Sequence, residues 1–467
     1  MIGMWKLERP KPKLPISYFW TWDHSTNWVL DDPGLLTWGC SNKYLKKPET
    51  FVEDYKRLID FASGIGVKGI VIWGFLRDSH GAIEYSKKVV DYALSKGIAI
   101  MPGIGTTAYG GVYYEGEHKY NLDVFLKKNP DARMMYEDGQ FALRAACPSH
   151  PLFREWLQEG IVWLFKQFEI GGANLENGDF LVCHDMLCKM HKERWPGDEP
   201  DFFRLQSLSY EPALKCIEKL LSEKIVTYAT YSGFVPGFPP DNLAAEKAWD
   251  VTFMRCKEPV MISRLPKKSI GQWTLTSMVR KQPLALTAYL DQGAPKEVFD
   301  NPYWPEGIKA PGKRSVGFIH QGSQWRGDRY NQVVSTIKEA CLRGYRSGLE
   351  GICIHGEVSS RHTPSALNYL AFSHFIHYPE DSLREFGRKT LGQILGSEDE
   401  GEMFAEIFAH WDAGTLSKSH REQAKEKAND LAKKVATKGT DLERWRFWNW
   451  LLMMISDVTE KHTVSFF

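Results

Sequence analysis

The chain has no apolar run approaching the roughly 18 residues that a membrane-spanning helix requires, so no span is read. It has no excess of one charge: 59 Lys and Arg face 58 Asp and Glu, a formal net charge of +1. A nucleic-acid binder would usually show a basic surplus, and a disordered chain would lack the aromatics, here 13%. Cysteine is sparse, eight in 467 residues, which is no disulfide framework and fits a reducing compartment. The first ten residues show neither an apolar h-region nor a cleavage signature, so no signal peptide is read and a cytoplasmic location is expected. No glycine fingerprint of the dinucleotide or P-loop type follows any predicted strand, so no cofactor is expected.

What the chain does have is alternation. An apolar run at 16–22 reads as a strand. Helical periodicity over 51–61 closes on Gly64 and Gly66, and a β-rich strand follows at 67–75. A helix over 83–95 stops at Gly97, and 98–101 is a strand ended by the segment Pro102 to Gly105. Helix, glycine, apolar strand thus recurs at about 31 residues, the size of one βα unit. The spacing predicts a helix over 151–168, strand four within 171–179, a helix over 211–221 and strand five at 225–231. Two segments qualify as strand six, 260–265 and 284–290. Strand seven falls at 316–319, a helix at 330–343 and strand eight at 351–354. Eight such strands make a (β/α)8 TIM barrel the most economical fold, over 1–378. No strand pattern returns after 378. Residues 379–467 read as an α-helical C-terminal extension, with helices at 382–394, 402–411, 422–435 and 442–455.

In such a barrel the active site forms where strands end. The predicted exits are rich in polar and aromatic residues. Strand one delivers Trp22, Asp23 and His24; strand two delivers Trp73, Arg77 and Asp78; strand three leads to Tyr113. Strand four carries Asn174, Glu176 and Asp179, and strand five Tyr231. Strand seven gives His320, Gln321, Gln324 and Trp325, and strand eight His355, Glu357 and Arg361. Carboxylates, amides, histidine, arginine and tryptophan together suit a polyhydroxylated ligand, which needs hydrogen bonds to hydroxyls and an aromatic floor. A carbohydrate is therefore the expected partner, with neither nucleic acid nor membrane, and oligomeric state stays open. Glu176 and Glu357 are the expected catalytic pair, because glycosidic cleavage needs two carboxylates and partial desolvation at a strand end favours a general acid. Asp179, three residues after Glu176, is the rival second carboxylate.

The Trp20-Thr21-Trp22-Asp23 segment, residues 66–77 and 102–114, and Asn174 to Asp179 followed by Cys183 resemble uncharacterised bacterial TIM-barrel glycoside-hydrolase-like proteins. These are distantly similar to β-hexosaminidases and α-glucuronidases. The resemblance implies glycosidase activity with Glu176 as acid/base. The hexosaminidase pattern has adjacent Asp-Glu there, whereas this chain has Leu175-Glu176. Two other functions use the same mouth: a divalent-metal sugar isomerase or epimerase on Glu176, Asp179, His320 and Glu357, or a barrel that binds sugar without catalysis. Cys183, Cys188 and His191 have a spacing that could approach zinc, but lack a clear fourth thiolate. They are read as a helix-like segment with two free cysteines and no metal.

Overall fold

Helix Pro48–Ile65 carries Pro48 in its first turn, where a missing N–H leaves no bond unmade, and stops at Gly66 with φ 83°. One face of it, including Phe51, Tyr55, Leu58 and Ile59, is buried and delivers the chain into strand β2, Gly69–Trp73. The computed structural model describes residues 5–30, 46–178, 182–196, 201–230, 260–275, 314–320 and 333–460. With β1 at Ile16–Trp22, β3 at Ala99–Gly105, β4 at Gly172–Glu176, β5 at Ile225–Ala229, β6 at Ile270–Thr274, β7 at Ser315–Ile319 and β8 at Gly351–His355, eight parallel strands close into a barrel. Its order runs β1, β8, β7, β6, β5, β4, β3, β2 and back to β1. This is the (β/α)8 fold the alternation implied. No helix of the described residues is long and apolar enough to cross a membrane.

The period-two alternation of each strand separates two cores. Outward residues such as Phe19, Ile70, Ile72, Ile100 and Ile352 pack under the helices. Inward residues, among them Tyr18, Trp20, Trp22, Trp73, Met101, Phe318 and Cys353, fill the barrel. Trp73 fits only because β3 offers a glycine opposite: a Cβ on Gly103 would sit 2.3 Å from the indole. The segment from Pro102 to Gly105, expected to end β3, belongs to it, because Gly103, Ile104 and Gly105 pair with Asn174, Leu175 and Glu176 of β4.

Strand six departs from both expected segments. Residues Val260–Arg264 form a helix, and 284–290 lie outside the described residues. The strand is Ile270–Thr274 (Ile-Gly-Gln-Trp-Thr), whose inward side is partly polar because Gln272 accepts hydrogen bonds from Tyr18 and Asn174 inside the barrel. A two-stranded antiparallel sheet, Arg133–Met135 with Phe141–Ala146, projects after β3 and was not anticipated.

All fifteen residues of helix Thr363–His377 are buried. Helices Glu398–Asp412, Lys418–Lys438 and Leu442–Glu460 follow it. They are joined by ring packing, as of Phe404 on Trp448 at 5.1 Å, and by Glu400, which accepts from Arg444, Trp448 and Lys427 at 2.6, 3.0 and 2.8 Å. Arg446 donates to the Ser360 carbonyl at 3.0 Å, tying the last helix to the loop after β8.

Candidate active site at the barrel mouth

Glu176 is the last residue of β4, two positions beyond the inward-facing Asn174, so its side chain enters the barrel on the same side. Its carboxylate contributes, after burial, to pushing the Tyr18 hydroxyl and the Cys353 thiol up, as expected of a charge near the barrel axis. The Glu176 carbonyl accepts from the Thr106 amide at 2.7 Å and the Thr106 hydroxyl at 3.1 Å, which fixes the exit of β4 to that of β3. Glu357 lies two residues past β8 and is 1% exposed. Its Oε1 accepts from the Trp22 amide at 3.1 Å, and Oε2 lies 3.6 Å from His355 Nδ1. Both glutamates therefore stand at the C-terminal end of the strands. Between β4 and β8 lie three strands in either direction round the barrel, so the two glutamates leave strands on opposite sides of the mouth.

Behind Trp22 the floor is ionic. Asp23 is wholly buried and pairs with Lys46 Nζ at 3.0 Å, His80 Nδ1 at 2.6 Å and Arg77 Nε at 3.8 Å. Burial by itself would raise the Asp23 carboxyl; Lys46, His80 and Arg77 outweigh it and hold the group well below the usual carboxylate range. Lys46 also pairs with Asp54 at 3.0 Å. Asp23 is thus placed beneath the mouth and engaged by Lys46, His80 and Arg77 rather than presented to a ligand.

His24 is different. Burial, with Arg77 beside it, pushes its pKa down to about 4, so the ring is neutral near pH 7. Its Nδ1 lies 3.4 Å from Arg77 Nη2 and takes the acceptor role, which leaves Nε2 as the N–H. That nitrogen and the Trp22 indole nitrogen are buried without a hydrogen-bond partner among the described residues, on rings 5.3 Å apart. Two buried donors with no acceptor among the described residues suit a ligand rich in oxygen.

The remaining expected residues divide. His320 and His355 lie 5.9 Å apart against Phe318, inside the mouth. Arg77 spans Asp23, Glu115 at 2.8 Å and the face of Tyr114 at 4.6 Å. Arg361 is half-buried on the loop after β8. Trp73 and Asn174 sit lower and are fully buried: Asn174 Oδ1 accepts from Trp73 and Trp20 at 2.9 and 3.2 Å, while its amide donates to Thr227 and Gln272. Both therefore hold the barrel interior and leave no group for a sugar. Tyr113 is buried under the outer helices, stacked on His118 with its hydroxyl bound to Asp78. Asp78 also caps the Glu117 amide at 2.9 Å, so this pair fastens a loop away from the barrel interior. Asp179, Tyr231, Gln321, Gln324 and Trp325 lie outside the described residues.

Two residues at the mouth escaped the sequence reading. Tyr109, half-buried with φ 52°, packs its ring 5.7 Å from both Trp22 and Trp73. A non-glycine residue held there in the left-handed region marks a constrained loop, and the following Gly110 and Gly111 were its only signal. Lys46 had no signal, because its partners are 23 and 8 residues away in sequence.

No family model matches the chain, and no curated protein matches it. Among solved structures it is similar to a β-N-acetylhexosaminidase from Bacteroides fragilis at 12% identity and TM-score 0.42, covering 78% of this chain and 66% of that one. It is similar to an exo-β-N-acetylglucosaminidase from Vibrio harveyi at 11% identity and TM-score 0.42, covering 88% and 60%. A maltogenic α-amylase from Thermotoga neapolitana matches at 11% identity and TM-score 0.40, covering 78% and 77%. The chain spans less than two thirds of the length of the first two structures.

Proposed function

We propose that the chain is a glycoside hydrolase working at the C-terminal mouth of its barrel. The observation that carries this reading is the pair of buried glutamates, Glu176 and Glu357, on strands at opposite sides of that mouth. A sugar bound between them places one carboxyl by the glycosidic oxygen and the other by the anomeric carbon. In this reading Glu176 gives its proton to the leaving oxygen. Glu357, oriented by the Trp22 amide, either attacks the anomeric carbon or takes a proton from the water that does. Water ends on the anomeric carbon, and the leaving sugar departs as an alcohol. Trp22 and His24 supply N–H donors to hydroxyls, and the half-buried Tyr109 and Tyr114 supply apolar ring faces.

The alternative, a metal-dependent isomerase, would draw on Glu176, Asp179, His320 and Glu357, of which Asp179 lies outside the described residues. A panel of aryl glycosides tests the hydrolase reading on the full chain. Turnover on at least one sugar that survives exhaustive chelation supports hydrolysis. Turnover abolished by chelation and restored by a divalent cation supports the isomerase, and sugar binding without turnover supports a binding barrel.

A further inference from the structure

Three cysteines from three separate stretches meet beside the loop that carries Tyr109. Cys147 follows the strand Phe141–Ala146, Cys183 lies in the segment after β4, and Cys188 is in helix Met186–Glu193. They are buried, at 1%, 2% and 0% exposure, and unbridged. The three sulfurs lie within 4.8 Å of one another, with Cys147 and Cys188 3.6 Å apart. A disulfide needs about 2.05 Å. Zinc–thiolate bonds of about 2.3 Å give a tetrahedral edge of about 3.8 Å, inside the spacing seen here. His191, the ligand that sequence spacing offered, is exposed and outside this group.

The surroundings fit a thiolate–metal centre. Ser149 Oγ lies 3.1 Å from Cys188 Sγ and offers an oxygen for a fourth position. Three thiolates around a divalent ion leave a net charge of −1, and the buried Arg204, bonded to the Cys188 carbonyl at 2.8 Å, stands close to offset it. Met134, Leu205 and Leu208 wall the cluster, which excludes water from the sulfurs.

We propose that Cys147, Cys183 and Cys188 hold one zinc ion, with the Ser149 hydroxyl nearest its fourth position. Binding sends the thiol protons to solvent as the sulfurs become thiolates. The ion joins the hairpin, the segment leaving Glu176 and helix Met186–Glu193 into one unit. Ala108 and Tyr109 pack on that unit, so the site braces the loop touching Trp22 and Trp73. This inference is independent of the glycosidase reading.

The test is elemental analysis of the full chain, expressed with added zinc and purified without chelator. About one zinc per chain is expected. C147S, C183S and C188S should each fall below about a tenth of that, while C341S, at a buried cysteine in helix Val334–Arg346, should keep it. Stripping the zinc from wild type should lower Tm by several degrees and expose three more thiols to a disulfide reagent. Because a variant lacking a buried thiol can fail to fold, the wild-type content decides. Less than about a tenth of a zinc per chain after zinc-supplemented expression, or a Cys147–Cys188 disulfide in the isolated protein, overturns the proposal.

Discussion

Replacing Lys46 with methionine keeps the length and apolar stem of the side chain but removes its charge from between Asp23 and Asp54. Both ion pairs are 3.0 Å long, and all three side chains are wholly buried. Removing one partner of a buried pair costs about 3–5 kcal/mol, chiefly because the other charge is left uncompensated. The two carboxylates do not suffer equally. Asp23 keeps His80 at 2.6 Å and Arg77 at 3.8 Å, whereas Asp54 keeps only the Val29 amide at 2.7 Å among the described residues. The cost therefore falls mainly on Asp54, and we expect Lys46→Met to lose about 4 kcal/mol, a large part of the 5–15 typical of a whole fold. Urea unfolding followed by circular dichroism measures it. Adding Asp54→Asn to the variant should recover about half of the loss, since an amide costs less to bury than a lone carboxylate. The sign with pH is fixed as well. Burial already raises Asp54, and without Lys46 it rises further, so its penalty is present above that value and is relieved as pH falls through it. A loss below about 1 kcal/mol, or a deficit unchanged between about pH 7 and 4, would refute the assignment of this triad as a buried charge cluster.

Gly103→Ala should cost about 1–3 kcal/mol and shift tryptophan fluorescence, because its new methyl meets the Trp73 ring at 2.3 Å; an unshifted spectrum with wild-type stability would contradict that packing. His24 has a folded pKa of about 4, below its unfolded value of 6.5, so protonation favours the unfolded chain between the two. The advantage of wild type over His24→Gln should thus shrink as pH falls from about 6.5 toward 4, and an NMR titration placing His24 near 6.5 would contradict its burial. Glu400→Ala leaves Arg444, Lys427 and the Trp448 indole without their shared acceptor, so thermal unfolding should report a loss of about 2–4 kcal/mol; a change within about 0.5 would show the cluster to be solvated.

The fold was legible wherever a strand's sequence is apolar on both sides, because such strands are buried by helices outside and by their neighbours' side chains within. The spans of β1, β2, β7 and β8 follow from that pattern. β6 was illegible for the opposite reason. Its inward Gln272 and Thr274 serve a hydrogen-bonded interior centred on Asn174, while the apolar segment Val260–Arg264 forms a helix beside helix Asp201–Cys216. At the mouth, proximity to a strand end singled out Glu176, Glu357, Trp22 and His24 but could not rank them by depth. Trp73 and Trp22 look alike in sequence, yet they differ because Asn174 consumes one indole N–H and nothing described consumes the other. Lys46 and Cys147 were invisible because their meaning lies in partners that only the closed barrel and its hairpin bring near.

Under the proposed function Glu176 donates a proton at the mouth of this barrel, and turnover of Glu176→Gln per folded molecule tests that role most directly. The substitution keeps shape and hydrogen bonding but removes the transferable proton. General acid catalysis is worth about 10²–10⁴-fold, so turnover on a responsive glycoside should fall by that order with Tm near wild type. The fall should be smaller on substrates with good leaving groups, which need less protonation. A variant that melts early yet turns over at the wild-type rate on every leaving group would contradict the assignment and reduce Glu176 to a brace for β4.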